Sequence, residues 1–385
     1  MRICLVYDCL FPYTVGGAER WYRNLALRLA TEGHEVTYLT LRQWPPAEKA
    51  DLPGVRVVTA GPRMALYRAA GQRRVAPPLM FGAGVLWHLL RHGRRYDVVH
   101  TSSFPYFSLL AAAVARRLHG FRLVVDWVEL WSRAYWRDYL GGPAGRVGEA
   151  VQALCLRVRQ SAFCYAELTA ARLRAAGLRG DVQVLRGLYA GPVAPPAPLP
   201  AEPLVVFAGR MIPEKRAPSV VHAIARARGQ LPDLGGRIFG DGPQLAAVRE
   251  AIAEHGLCDA VEAPGFVATE RVEHDLARAL CLVLPSRREG YGLVVVEAAS
   301  VGTPVVLVRG EDNAATELVV EGVNGFVADS ADPDALANAI MRVHEAGAGL
   351  RQSTAAWFTE HAPELSLDGS LDAVAASYAA AKARS

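Results

Sequence analysis

The stretch CLVLPSRREGYGLVVVEAASVGTPVV, residues 281–306, leaves this chain few folds to choose from. Cys281 to Leu284 is a short, unbroken apolar run, the pattern of a strand covered on both faces, and Pro285 stops it. A polar loop follows, Ser286 to Gly292, in which Gly290 and Gly292 free the backbone. From Leu293 the apolar residues take helical spacing through Ala299, and a second buried strand, Pro304 to Val308, comes after Gly302. This is a strand, loop, helix, strand unit, and in open α/β sheets ligands bind outside the carboxyl ends of such strands. Two carboxylates stand at that edge, Glu289 in the loop and Glu297 in the first turns of the helix. One reading makes Glu289 a solvated loop residue and Glu297 a favourable acid near a helix N-terminus. An acid inside VVVEAAS, however, is badly placed unless something pairs with it.

The same scheme runs through the rest of the chain. RICLVY, residues 2–7, predicts a first strand, and its loop ends in Gly16 and Gly17 before a helical pattern, Ala18 to Thr31. Paired glycines there let backbone N–H groups approach an anion at the helix's positive end, and they serve a plain strand-to-helix turn equally well. Gly33 closes that helix and GHEVTYLTL gives a second strand, with His34 read as structural. YDVVHTSS, residues 96–103, predicts a strand ending on His100, and FRLVVDWVELW, residues 121–131, another that runs into tryptophans. Strand ends on one edge bring His100, Asp126, Trp127 and Glu129 toward a common cleft. Trp127, Trp131, Tyr135 and Trp136 suit either stacking on a ligand ring or a buried aromatic cluster. A helical pattern from about 146 to 176 and the strand VQVLRGLY finish this half.

Residues 191–203, GPVAPPAPLPAEP, are rich enough in proline to read as a stiff linker, so we place a domain boundary there. LVVFAGRMIPEKR then restarts the pattern, a strand ending in Gly209 with a helix from Ala217. Arg210 and Lys215 leave that strand edge, and two cations there suit a diphosphate whose leaving-group charge must be neutralised. RIFGDGP repeats the scheme around Gly240, with Pro243 expected at a helix's first position. The amphipathic tail, Leu367 to Ala381, predicts a terminal helix.

The EGYGLVVVE pattern resembles the signature of retaining family-4 glycosyltransferases of the GT-B fold. The resemblance is strongest over residues 204–345 and weaker, though in order, over 1–190. It implies two Rossmann-like, doubly wound α/β domains facing a central cleft: residues 1–190 for the acceptor, 204–366 for a nucleotide-sugar donor, and a helix of about 367–385 returning to the first domain. By the same resemblance Arg210, Lys215 and Glu289 carry the chemistry. Glu289 takes the donor sugar and Glu297 the ribose, while Gly16, Gly17, Gly209, Gly240, Gly290, Tyr291, Gly292 and Leu293 line the donor. His100, Asp126, Trp127 and Glu129 fall on the acceptor side. Relatives often carry a histidine where this chain has Val128, and an asparagine where it has Arg186. The implied activity is retaining transfer of a sugar from a nucleotide-diphosphate sugar of UDP or GDP type. The acceptor hydroxyl would be on a glycan, glycolipid or natural product. The rivals are a sugar phosphorylase or nucleotide-sugar epimerase on the same fold, and a non-catalytic sugar-nucleotide-binding protein.

Composition narrows the remaining classes. At 385 residues and 51% hydrophobic content the chain can bury two cores. The stretch MRICLVYDCL is too soon interrupted by Asp8 to be a signal peptide and no apolar run reaches membrane-spanning length, which predicts a cytoplasmic protein, peripheral at the membrane at most. Six scattered cysteines without a C-x-x-C pair are expected to be reduced core residues. Asp332-Pro333-Asp334 matches the D-x-D that holds a metal elsewhere, but here it opens a helix, with Asp332 expected as N-cap and Pro333 at N1. No metal or other cofactor is expected. Residues 1–190 hold 26 Lys+Arg against 13 Asp+Glu, a net of +13, and residues 191–385 hold 16 against 25, a net of −9. Within the basic half, Arg63, Arg68, Arg73, Arg74, Arg91, Arg94 and Arg95 interleave with Met64, Leu66, Tyr67, Leu79, Met80, Phe81, Leu86 and Trp87. That mixture fits contact with an anionic membrane or phosphorylated lipid, and it fits a solvated arginine-rich helix pair as well. No nucleic-acid recognition motif accompanies the charge.

Overall fold

A computed structural model describes residues 1–45, 47–66, 74–194 and 197–382 of the chain, with side chains through Ala379. Tyr67, Arg68 and Arg73 lie outside the described residues. The chain forms two compact units, one running from the N-terminus through Leu185 and joined by the segment from Ser370 onward, the other spanning Arg186–Gly369.

The first unit alternates strand and helix: β1 (Arg2–Val6), α1 (Gly17–Thr31), β2 (Glu35–Thr40), β3 (Val55–Thr59), α2 (Ala76–His92), β4 (Val98–Ser102), α3 (Phe107–His119), β5 (Arg122–Trp127), α4 (Arg133–Leu140), α5 (Gly142–Leu156), β6 (Gln160–Cys164), α6 (Glu167–Ala175) and β7 (Gly180–Val184). Its seven strands pair in parallel in the order β3-β2-β1-β4-β5-β6-β7. β1 and β4 are buried along almost their whole length, the continuous apolar pattern of strands with helices on both faces. The expected helix over 146–176 is two helices with β6 between them. Gln160 opens that strand while buried, because its amide donates to the Cys155 and Val158 carbonyls and its oxygen accepts the Trp127 indole N–H.

The second unit contains β8 (Leu204–Ala208), α7 (Ala217–Ala227), β9 (Gly235–Phe239), α8 (Leu245–Glu254), β10 (Val261–Gly265), α9 (Thr269–Arg278), β11 (Cys281–Leu284), β12 (Arg288–Glu289), α10 (Leu293–Ser300), β13 (Val305–Val308), β14 (Asp312–Asn313), β15 (Gly325–Ala328) and α11 (Pro333–Leu365), which is two helices meeting at a kink on Gly347. Its main sheet runs β10-β9-β8-β11-β13-β15, again all parallel. Tyr189 belongs to this unit, its N–H bonded to the Leu365 carbonyl at 3.0 Å. A last helix, α12 (Leu367–Lys382), passes from the second unit into the first.

Several local expectations need correction. Pro243 stands two residues ahead of α8, in a turn, and not at its first position. Asp332 occupies the N-cap position of α11, but its carboxylate accepts the Ser330 hydroxyl at 2.7 Å and makes no capping bond to the helix. Cys258 is exposed, whereas Cys4, Cys9, Cys155, Cys164 and Cys281 are buried free thiols. Burial pushes the Cys281 thiol up to about 12, so it stays protonated.

In both sheets the chain order reverses once, between β1 and β4 and between β8 and β11. Loops leaving neighbouring strands at such a reversal diverge to opposite faces and open a crevice at the carboxyl edge. Close approach at that edge in the second unit needs glycine. Gly240, past β9, holds φ +134°, and a Cβ there would lie 1.8 Å from the Gly209 carbonyl oxygen past β8. Gly240→Ala is therefore expected to lower that unit's stability by about 2 kcal/mol or more, a drop of several degrees in Tm. An unchanged melting curve would show that the two loops have room to part.

Candidate functional site

The reversal between β8 and β11 is where Lys215 and Glu289, two of the sequence-predicted donor residues, come together. Lys215 follows β8 through a tight turn, Pro213–Lys215, and Glu289 follows β11 as the second residue of β12. The Lys215 ammonium donates to Glu289 Oε1, and the two side chains are 16% and 11% exposed. The same oxygen accepts the Ser286 hydroxyl at 2.9 Å. Taking a lysine and a carboxylate this far out of water is costly unless they are paired and hydrogen-bonded, so the pair and its serine form one unit.

Each loop is held from beneath. The Arg287 N–H donates to the Glu214 carbonyl at 2.8 Å, tying the Glu289 loop to the Lys215 turn through backbone. β12 pairs with β14, aligning Glu289 with Asn313. Asn313 is buried; its amide donates to the Ser286 and Val308 carbonyls at 3.2 and 2.9 Å, and its oxygen accepts the Ala315 N–H. The Lys215 turn ends on Arg216 in the left-handed region, φ +51°, a conformation that costs a non-glycine residue about 1 kcal/mol. Strain of that kind at the residue after Lys215 fixes where the lysine's stem leaves the backbone.

The other donor-side residues divide by depth. Gly292 is the N-cap of α10 in the left-handed region, φ +92°, and a Cβ there would meet Ala315 Cβ at 2.6 Å. Leu293 and Glu297 are half-buried on α10, and Glu297 raises the phenol of nearby Tyr189 electrostatically, after burial itself. Tyr291, beside the buried Gly290, is itself buried and its hydroxyl donates to the Arg186 carbonyl. Burial pushes that phenol up, and its place is that of a post holding the loop. Arg210 is exposed just past Gly209, whose N–H donates to the Phe239 carbonyl at 3.1 Å.

In the first unit Gly17 opens α1 and Gly16 is its N-cap. A Cβ on Gly16 would lie 2.4 Å from Glu19 Oε2, whereas one on Gly17 would meet nothing within 4 Å. The positive end of α1 thus already has a carboxylate of its own beside it.

The expected grouping of His100, Asp126, Trp127 and Glu129 at an open edge is corrected by their depth. His100 lies in the middle of β4, not at its end, and His100, Asp126 and Trp127 have no exposed surface. Asp126 takes His100 Nε2 on one oxygen and the Trp21 indole N–H on the other, each at 2.8 Å, and the Tyr378 hydroxyl of α12 meets His100 Nδ1 at 2.5 Å. Trp127, Tyr135 and Trp136 are buried; Trp127 and Trp136 pack against Tyr106, and the Gln152 oxygen accepts the Tyr106 hydroxyl and the Trp136 indole N–H. Glu129 alone of the four reaches solvent, and it accepts the indole N–H of the half-buried Trp131 at 3.1 Å.

Ser286 and Asn313 were not anticipated from sequence. A serine directly after Pro285 and an asparagine just before a short helical turn are weak signals until the partners are seen. The half-buried pair predicts coupled stability: Lys215→Met should cost about 1–3 kcal/mol by stranding Glu289, and adding Glu289→Gln should restore part of that loss. Additive losses in the ligand-free double variant would show that the pair carries no interaction energy.

Two family models match side by side, "Glycosyl transferase 4-like domain" over residues 16–186 and "Glycosyl transferases group 1" over residues 196–356. The chain is 27% identical to a glycogen synthase of Mycobacterium tuberculosis across 363 residues, 89% of this chain and 86% of that protein. It is 30% identical to a GDP-mannose-dependent alpha-(1-6)-phosphatidylinositol monomannoside mannosyltransferase of Mycolicibacterium smegmatis, over 36% of this chain and 37% of that one, so that match spans little more than a third of the relative. In three dimensions it is similar to sucrose-phosphate synthase from Thermosynechococcus elongatus (TM-score 0.83, 21% identity, all of both chains). It also resembles the Anabaena protein Alr3699/HepE solved with UDP and glucose (TM-score 0.72, 18% identity, 99% of this chain and 100% of that one). The fold is GT-B, and the chain belongs to the family-4 glycosyltransferases.

Proposed function

We propose that the protein is a retaining, metal-independent glycosyltransferase that takes a sugar from a nucleotide-diphosphate sugar of UDP or GDP type and passes it to an acceptor hydroxyl on a glycan, glycolipid or natural product. The observation that carries this reading is the Lys215–Glu289 pair at the β8/β11 reversal, with Arg210 leaving the same strand edge. A cation held against a carboxylate under partial exclusion of water is preorganised for a diphosphate and a sugar arriving side by side. Lys215 and Arg210 bind the diphosphate oxygens. Glu289, with both internal donors on Oε1, offers Oε2 to a hydroxyl of the donor sugar. Glu297 takes the ribose hydroxyls. The printed GDP-mannose dependence of the mannosyltransferase relative and the UDP and glucose in the HepE structure support a nucleotide-sugar donor without choosing its base.

We read Glu289 as a sugar-binding group and not as one of the carboxylate pair of a double-displacement glycosidase, which favours transfer on one face of the sugar. The bond from the anomeric carbon to the phosphate oxygen breaks and its electron pair leaves with the diphosphate. The acceptor oxygen bonds to that carbon from the same side, and its proton passes to the departing phosphate oxygen. We assign the acceptor to the first unit, where Glu129 and Trp131, both half-buried, lie just beyond β5.

Arg210→Ala and Lys215→Ala are each expected to lower kcat by about 10²–10³-fold, the usual cost of one preorganised charge. Glu297→Gln should act on donor affinity instead, raising KM with kcat nearly kept. A thermal-shift series with UDP-, GDP-, ADP- and TDP-sugars identifies the donor to use, because bound ligand raises the melting point by mass action. Turnover near the wild-type rate in both cation variants would overturn the assignment.

Metal independence is part of this reading, with Arg210 and Lys215 supplying the charge a divalent ion would bring. Of the D-x-D pair, Asp332 accepts from Ser330 and Asp334 pairs with Arg226 at 3.3 Å. Among the described residues no three His, Cys, Asp or Glu side chains gather as a metal site. Full activity in excess EDTA is expected; loss of activity restored by Mn²⁺ would reverse this part of the proposal.

A further inference from the structure

The solvent side of α2 departs from the usual division of labour on a surface helix, which buries one apolar stripe and gives the rest to polar residues. Inward, α2 buries Phe81, Val85 and Leu89, and Gly82 lets it lie against Phe107 of α3. Outward, it carries a second apolar face. Val75, Leu79, Trp87 and Leu90 fall within an arc of about 120° at 100° per residue, a band about 22 Å long. Each exposes at least 39% of its surface, and Trp87 exposes 67%. Leu118 of α3, 64% exposed, adds to the apolar surface of this helix pair. A helix apolar on both sides is one whose second side also leaves water.

The charged residues that flank this band in sequence have one sign. Arg74 stands exposed just before α2, and Arg91, Arg94 and Arg95 at and beyond its end. The Arg91 guanidinium sits 6.0 Å from the Trp87 ring centroid. No Asp or Glu occurs between Asp51 and Asp97, and Asp97 is already paired with Arg2 at 3.1 Å.

We propose that the outer face of α2 docks this protein onto an anionic lipid bilayer, the apolar band entering the headgroup boundary and the arginines meeting the lipid phosphates. The chemistry separates this occupant from the others. A second copy meeting the same band across a two-fold axis would set arginine against arginine. Among the described residues 74–96 there is no carboxylate or amide side chain with which to hold a protein partner in register. A cation-flanked apolar face with an exposed tryptophan is what an interfacial helix presents. No helix among the described residues is long and apolar enough to cross a membrane, so the contact lies in the interface plane. No residue of the second unit enters this inference, which stands whether or not the donor assignment does.

Cosedimentation of the full chain with vesicles of phosphatidylcholine alone, or of equal parts phosphatidylcholine and phosphatidylglycerol, tests it. Binding is expected to the anionic vesicles only at low salt, with release by about 0.5 M NaCl as screening shortens. Serine at Arg91, Arg94 or Arg95 should weaken partitioning about fivefold per site. The double variant Leu79→Ser/Trp87→Ser should lose vesicle binding while keeping the wild-type melting curve, since both side chains are exposed. Equal binding to both vesicle types, or none at low salt, would overturn the proposal. So would undiminished binding by the double variant, or a concentration-dependent dimer that the double variant abolishes.

Discussion

Two charged side chains 74 positions apart carry much of the order at the second unit's carboxyl edge. Lys215 and Glu289 are each drawn largely out of water, and neither is tolerable there alone. Their pairing therefore obliges the loop after β8 and the loop after β11 to keep their mutual position. Ser286, the Glu214 carbonyl and Asn313 are the supports that make this position unique. The energetic logic is that of a buried polar network, rigid when every member is satisfied and unstable when one is missing. A site built this way has its charge separation set before any ligand arrives, which is what the proposed stabilisation of a departing diphosphate requires.

The first unit solves a similar problem in its interior. Asp126, without exposed surface, is kept by the Trp21 indole and by His100, which in turn meets Tyr378. Because each partner comes from a different element, α1, β5, β4 and α12 are registered against one another by a single carboxylate. The aromatic residues near β5 are organised in the same manner around Gln152, one amide serving Tyr106, Trp131 and Trp136.

How far these features could be read from sequence depended on whether their cause was local. The β11–loop–α10–β13 unit was legible because Pro285, Gly292 and Gly302 punctuate it and the apolar runs are unbroken. Arg210, Lys215, Glu289 and Glu297 were legible as residues at strand edges or in a helix's first turns. β6 was hidden because Gln160 and Ser161 interrupt its apolar run, and a glutamine's burial depends on carbonyls and an indole that sequence does not show. Asp126 and Trp127 were placed at the correct end of β5, His100 was placed at the end of β4 when it lies in the middle, and all three were put at the wrong depth. Their burial is decided by Trp21 and Tyr378, the latter 278 positions from His100, and no local pattern reports such contacts.

The passage of α12 into the first unit also orders events in time. During synthesis β1 to β7 emerge first, yet the side chain that completes the Asp126–His100 network arrives only with residue 378. At about 5–20 residues per second the ribosome takes roughly 10–40 s to travel from β7 to that point. The whole of the Arg186–Gly369 unit is made in that interval. The unit begun first is thus finished last, and for that time its central histidine waits without one of its two partners.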